Sequence, residues 1–525
     1  MKGIIIFYND KFSKYADEKV FSGVSARDLT KKWAEKIDLE YFELEANSLS
    51  ILLTKAKELC DSKNADYVVF SYDDLPFLDF NLSKKMISSH IEYKAEYTFA
   101  DGYPYGFSPE IIDSGTLGIL AELSKSSQKD FGQMPMARDS IYNLIKTDIN
   151  SFEVEAELAD EDWRLYRFSF HCANKDNFMQ AKALYNLICE KIGKADKTDK
   201  TDKTDKADLS VDEKCQLASQ CLDCLKTVPG FYNIQIADFV HSNYTYLPYN
   251  SAYEEKNKLS PLKTKACMDL ENFSSLVDKI AAFSEKAVIS LSAWGEALSN
   301  PDCLKMIEKV LSYSGLSVFI ESDGLLITEE FCEKLKKIVD EAPERSNNWQ
   351  KVMIAISLDA FSVQTYCKLH EGCSEQDFSK AVNAVTLLQK AIPGMVYPQF
   401  VRMDDNESEL EGFFRYWNEK TNPSAGNFII QKYDNFAGLL PERKPADLSP
   451  LERMPCWHLR RDLTILSNGD AQICRAHVLS GVIGNVFKDD LENIWHKTDD
   501  LLKNHIEKNY KEKCERCDES YTFNF

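Results

Sequence analysis

Three things this chain lacks narrow its class before any motif is read. It lacks an excess of basic residues: 63 Lys and Arg stand against 84 Asp and Glu, for a formal net charge of −21. Such a surface repels polyphosphates and anionic headgroups, so neither nucleic acid nor a membrane is expected as a partner. It lacks a long apolar run at its amino terminus, where Met1–Asp10 is too short for a signal peptide or a membrane span. It also lacks a disulfide framework. Fifteen cysteines are an odd number, unevenly spaced, and read as reduced thiols plus a ligand set. A cytoplasmic location is the expectation.

What is present is a chain of 525 residues, 44% hydrophobic, long enough for three domains of ordinary size. Residues 1–192 alternate strand and helix patterns, which predicts an α/β domain. Residues 193–214 repeat Asp-Lys-Thr without an apolar face and read as a disordered tether. From there to residue 440, six strand-like runs alternate with helical ones: Phe231–Ile236, Val288–Ser292, Leu316–Glu321, Val352–Leu358, Val396–Val401 and Asn427–Tyr433. Repeated βα units predict a parallel partial barrel over 215–440, with ligands at the carboxyl ends of its strands.

Residues 441–525 form the last expected domain and carry four cysteines, Cys456, Cys474, Cys514 and Cys517. The first two flank two short strands joined by Ser467-Asn468-Gly469, and the last two form a Cys-x-x-Cys knuckle after an amphipathic stretch. Four thiolates from a hairpin and a knuckle suit one tetrahedral zinc or one iron–sulfur cluster. The other cysteines fit core or surface roles better. Cys221 and Cys224 share a helix face, and Cys367, His370 and Cys373 do not converge if helical.

Several motifs carry resemblances. In the first domain, Tyr72-Asp73-Asp74-Leu75-Pro76-Phe77-Leu78-Asp79, Tyr103–Glu110, Ala137–Tyr142 and Tyr166–His171 resemble segments of GT-A-type nucleotide-sugar cytidylyltransferases. That resemblance implies a metal-binding aspartate at Asp74, with His171 where the second metal aspartate stands. In the phosphate-loop position, Asp17 and Glu18 place negative charge where phosphates would lie, so nucleotidyl transfer is expected to be lost.

The barrel resembles the radical S-adenosylmethionine enzymes. Ala293-Trp294-Gly295-Glu296 is similar to their Gly-Gly-Glu-Pro segment, Glu321-Ser322-Asp323-Gly324 to Thr-Asn-Gly, and Ser357-Leu358-Asp359-Ala360 to Ser-Leu-Asp-Gly. The resemblance implies that Gly295, Glu296, Ser322 and Ser357 are remnants of a cofactor site. The family's Cys-x-x-x-Cys-x-x-Cys falls on Val240, Tyr244 and Leu247, so radical initiation is expected to be absent. Whether S-adenosyl-L-methionine still binds stays open.

Cys456, Gly469, Cys474, Gly484-Asn485 and Ile494-Trp495 resemble the SPASM domain, which implies one 4Fe–4S cluster on the four cysteines. The full domain order resembles the spiro-SPASM proteins. The leading expectation is an iron–sulfur protein whose barrel binds a peptide, protein or small-molecule ligand. The alternatives are an active enzyme of surface-glycan or peptide modification, using S-adenosylmethionine or a nucleotide, and a structural zinc protein.

Overall fold

The strands form where apolar runs are rich in β-branched and aromatic residues, and helices cover them where the apolar period lengthens. A computed structural model describes residues 1–9, 13–126, 136–198, 209–248, 266–346, 349–446, 449–477, 481–510 and 513–521. The chain divides into two units, Met1–Thr227 and Val228–Phe525. No helix among the described residues is long and apolar enough to cross a membrane.

The first unit is built on β1 (Gly3–Tyr8), β2 (Tyr41–Leu44), β3 (Tyr67–Tyr72), β4 (Tyr97–Asp101), β5 (Glu110–Asp113) and β6 (Val154–Leu158), in the order β2-β1-β3-β5-β4-β6. β1 lies parallel to β2 and β3, and β5 runs antiparallel between β3 and β4. Every residue of β1 and β3 is buried, as a central strand covered on both faces requires.

The end of this unit differs from expectation. The helix Lys175–Thr198 runs into the first part of the expected tether, and the middle of the Asp-Lys-Thr run, 199–208, lies outside the described residues. The helices Val211–Ser219 and Leu222–Leu225 belong to the first unit, not to the barrel. Their anchors are specific. Trp163 Nε1 donates to Asp212 Oδ1 at 2.7 Å, and Lys214 Nζ pairs with Asp79 Oδ2 at 3.0 Å. The barrel unit therefore starts at Val228.

In the second unit, the strands are β7 (Phe231–Ile234), β8 (Asn243–Tyr244), β9 (Ala287–Ser290), β10 (Leu316–Ser322), β11 (Val352–Ser357), β12 (His370–Glu371), β13 (Val396–Arg402), β14 (Ile429–Lys432), β15 (Asp462–Ile465), β16 (Asp470–Gln472) and β17 (Val482–Asn485). All except β8 and β12 join one nine-stranded sheet, β14-β13-β11-β10-β9-β7-β15-β16-β17. The six expected βα strands pair in sequence order and are all parallel. Their outer face meets the helices through Ile234, Ile289, Ile320 and Ile354. The inner face carries a smaller apolar group of Val288, Phe319, Met353 and Ala355.

The carboxyl-terminal hairpin is an extension of this sheet. β15 pairs in parallel with β7, with Leu463 opposite Tyr232 and Ile465 opposite Ile234. The four-cysteine segment is thus fixed against the first barrel strand by backbone hydrogen bonds and by Leu463 and Ile465 in the common core. The structure also inserts a short helix, Trp457–Arg461, between Cys456 and the hairpin.

Candidate functional site

At the carboxyl ends of the parallel strands lies a cavity of about 170 Å³. Phe231, Phe319 and Ile429 contribute to its apolar lining. Gly295, Glu296, Ser322 and Ser357 also line it, so residues from three separate strand ends converge on one space. The turn after β9 has little freedom. Trp294 sits at φ +52°, and a Cβ on Gly295 would lie 1.9 Å from the Ala237 carbonyl oxygen, so only glycine fits there.

Glu296 is almost fully buried and receives neutral donors: the Ser322 hydroxyl at 3.0 and 3.1 Å, and the N–H groups of Asp323 at 3.0 Å and Leu298 at 3.1 Å. Burial, with the neighbouring Asp323 charge, pushes its carboxyl up to about 8 despite those donors. Asp323 accepts from Leu325 N–H at 2.9 Å and meets His241 Nδ1 at 2.7 Å. That contact raises the His241 imidazole above its ordinary range against the opposing effect of burial.

Val240, Tyr244 and Leu247 line the same cavity. The segment holding them is organised by aromatic packing. Tyr244 and Tyr246 join Trp294, Leu369, Val401, Met403, Tyr433 and Phe436 in a separate apolar core. β8 pairs antiparallel with β12, setting Tyr244 opposite His370 with ring centroids 4.8 Å apart. Beneath it, Tyr246 Oη donates to Asp359 Oδ2 at 2.5 Å, His370 Nε2 meets the same oxygen at 3.2 Å, and Val401 N–H donates to Oδ1 at 2.6 Å. Asp359 and His370 are fully buried. His370 thus belongs to a packed hydrogen-bonded core, and its periodicity with Cys367 and Cys373 has no ligand meaning of its own.

Cys456, Cys474, Cys514 and Cys517 line a second, smaller cavity of about 50 Å³. Gly469 shapes the hairpin between the first two. It has φ +86°, and a Cβ there would lie 2.4 Å from the Phe487 ring. Asn485 locks the same turn, donating from Nδ2 to Asn468 O at 3.0 Å and to Asp470 Oδ1 at 2.9 Å. The knuckle closes through Cys517 N–H to Cys514 O at 3.3 Å.

Burial pushes the Cys456 thiol up to about 11 and the Cys474 thiol up to about 12, and raises Cys517 further. Thiolates in such a place need compensation. Backbone N–H groups of His458 and Leu459 donate to Cys456, those of Ala476 and His477 to Cys474, and that of Glu519 to Cys517. Arg453, Arg475 and Lys513 add positive charge to the cavity wall. Amide donors to sulfur around a buried thiol set are the surroundings an iron–sulfur cluster uses. The donor set fits a cluster. His458, Arg475 and Glu519 line both cavities, so the two spaces share one wall.

In the first unit, Asp74 lies in the turn just after the buried strand β3 and is itself fully buried. Arg138 Nη1 and Nη2 donate to its two oxygens at 2.8 and 2.7 Å, and Ser13 Oγ donates at 2.6 Å. A guanidinium thus holds both carboxylate oxygens of Asp74, the residue expected to bind a divalent cation. Burial opposes ionisation there, but Arg138 reverses it and holds the carboxyl at about 2. Asp73 beside it pairs with Arg27 at 2.8 Å, yet burial pushes its carboxyl up to about 7. A cavity of about 460 Å³, lined by Tyr72, Tyr97, Tyr103, Tyr105 and Arg138 among others, opens beside this pair.

Residues 456–518 match the SPASM family, an iron-sulfur cluster-binding domain. The chain belongs to one family with an uncharacterized protein of Treponema pallidum, to which it is 35% identical over 393 residues, 73% of this chain and 98% of that protein. Among solved structures it is similar to BtrN in complex with AdoMet and 2-DOIA, at 13% identity over 57% of this chain and 100% of that one, with a TM-score of 0.36. It is also similar to SuiB of Streptococcus suis bound to the precursor peptide SuiA, at 14% identity over 68% and 85% of the two chains, with a TM-score of 0.39.

Proposed function

We propose that this is an iron–sulfur protein in which Cys456, Cys474, Cys514 and Cys517 hold one 4Fe–4S cluster beside a barrel that binds a ligand without initiating radicals. The carrying observation is the composition of the barrel mouth. Gly295, Glu296, Ser322 and Ser357 stand around a formed cavity, while the three positions that resemblance assigns to cluster thiolates are Val240, Tyr244 and Leu247. Valine and leucine offer no donor atom, and Tyr244 is buried against His370. A cluster with four protein thiolates supplies one-electron transfer and cross-links the fold, and has no open iron for a substrate. Around it, the amide donors compensate thiolate charge, and His458, Arg475 and Glu519 stand between it and the barrel cavity.

The occupant of the barrel is a peptide, a protein segment or a small molecule, in a cytoplasmic setting. The convergence of Gly295, Glu296, Ser322 and Ser357 favours a second reading, in which S-adenosylmethionine still binds but is not cleaved reductively. Calorimetry with this compound decides between the two: measurable binding supports the second reading, and none removes it. The Asp74–Arg138 pair argues against metal-dependent nucleotidyl transfer in the first unit, and binding of CTP with magnesium would overturn that view. For the main reading, protein purified without oxygen should hold one cluster complement of iron and sulfide per chain and form no 5′-deoxyadenosine after reduction. Zinc in place of iron would remove it.

A further inference from the structure

The barrel mouth holds a group of side chains that the loss of thiolates does not explain. His241, Glu296 and Asp323 each present one ligand atom within 4.8 Å of the other two. They come from three neighbouring places in the sheet. His241 follows β7, Glu296 follows β9 and Asp323 follows β10, and these strands are adjacent and parallel. Parallel α/β sheets gather their ligand-binding side chains at these carboxyl ends.

Glu296 and Asp323 are 4% and 2% exposed, so two carboxyl groups lie together out of water. Among the described residues, Glu296 meets only neutral donors, from Ser322, Asp323 and Leu298. Asp323 meets the Leu325 N–H and His241. Two carboxyl groups this close together out of water repel one another unless a proton or a cation lies between them. The other such group among the described residues, Asp434, Asp518 and Glu519, is different. Arg475, Lys444 and Lys432 pair with its three members in turn.

We propose that His241, Glu296 and Asp323 form a mononuclear site for a divalent cation at the barrel mouth. One imidazole and two carboxylates suit manganese, ferrous iron or zinc, and the oxygen-rich set favours manganese relative to a thiolate site. Glu296 and Asp323 line the 170 Å³ cavity, so coordination positions not filled by the protein face the ligand space. A ligand carrying a carboxylate or another oxygen donor would complete the shell. The site is distinct in ligand chemistry and position from the four cysteines, and it does not require that they hold iron.

The test uses the full-length protein purified without oxygen, with its carboxyl-terminal metal in place, titrated with manganese while the signal of the free aquo ion is followed by EPR. One manganese per chain is expected to bind, with affinity lowered at least about tenfold by Asp323→Asn and by Glu296→Gln. An unchanged far-ultraviolet circular dichroism spectrum shows that each variant is folded. Should the buried substitutions prevent folding, His241→Ala, whose ring is partly exposed, is expected to weaken binding as well. No manganese binding, or equal binding by the wild type and all three variants, would overturn the proposal.

Discussion

The barrel mouth and the cysteine cavity share the wall formed by His458, Arg475 and Glu519, yet they are built on opposite principles. In the cysteine cavity, thiols stand at the centre and backbone amides converge on them. At the barrel mouth, the segment from Val240 to Leu247 is held by Tyr244 and Tyr246 packed on His370, over a buried Asp359. The comparison teaches that a strand-end cavity persists without thiolates when apolar packing and a saturated carboxylate fix the loop instead.

Breaking either scheme should give different results. The largest effect is expected for Cys474→Ser. A serine oxygen replaces one buried thiolate among four, so iron should fall to near zero, and the knuckle Cys514–Cys517 should lose its protection from hydrogen exchange while β15, paired with β7, keeps it. The barrel mouth should keep its exchange protection in this variant, because its core contains no cysteine ligand. Loss of protection at both places would refute the separation drawn here.

Asp359→Ala is the reciprocal change. It leaves the Tyr246 hydroxyl, His370 and the Val401 N–H without their acceptor, at a cost on the order of 4 kcal/mol. Denaturant unfolding should read that loss, with iron content unchanged in the folded protein. Gly295→Ala should cost about 2 to 3 kcal/mol, because its methyl group would collide with the Ala237 carbonyl. It should also weaken any barrel ligand, which calorimetry can follow once one is known.

The first unit sharpens the lesson on a smaller scale, since Arg138 occupies Asp74 where resemblance implied a cation. The folded Asp74 carboxyl is held at about 2, below its ordinary value of 3.8. Its contribution to stability is therefore complete above the unfolded value and lost as pH falls from about 4 toward 2. The magnitude is about 2 kcal/mol. Arg138→Met should remove that acid-dependent step, as measured by unfolding of the first unit between pH 5 and about 2.

Much of this architecture is legible in the sequence. The six barrel strands are short apolar runs between amphipathic helices, and their residues fall within one or two positions of the observed bounds. The Gly-containing hairpin and the Cys-x-x-Cys knuckle also mark their own turns. What is not legible depends on contacts between distant residues. Nothing local in Asp462–Ile465 says that it pairs with Phe231–Ile234. Arg138 lies 64 residues from Asp74, and Tyr246 lies 113 from Asp359, so neither pairing leaves a periodic signal. Lys214 and Asp212 read as part of a charged tether until Asp79 and Trp163 are seen to bind them. His241 is a lone histidine in sequence, and only the adjacency of three strands sets it beside Glu296 and Asp323.

The central claim is that the four carboxyl-terminal cysteines hold the chain's one iron–sulfur cluster while the barrel mouth holds none. Iron and acid-labile sulfide, counted with Mössbauer spectroscopy on anaerobically purified protein, test it most directly. The account predicts one 4Fe–4S complement per chain, abolished by Cys474→Ser. Two complements per chain, or a complement that survives Cys474→Ser, would contradict it.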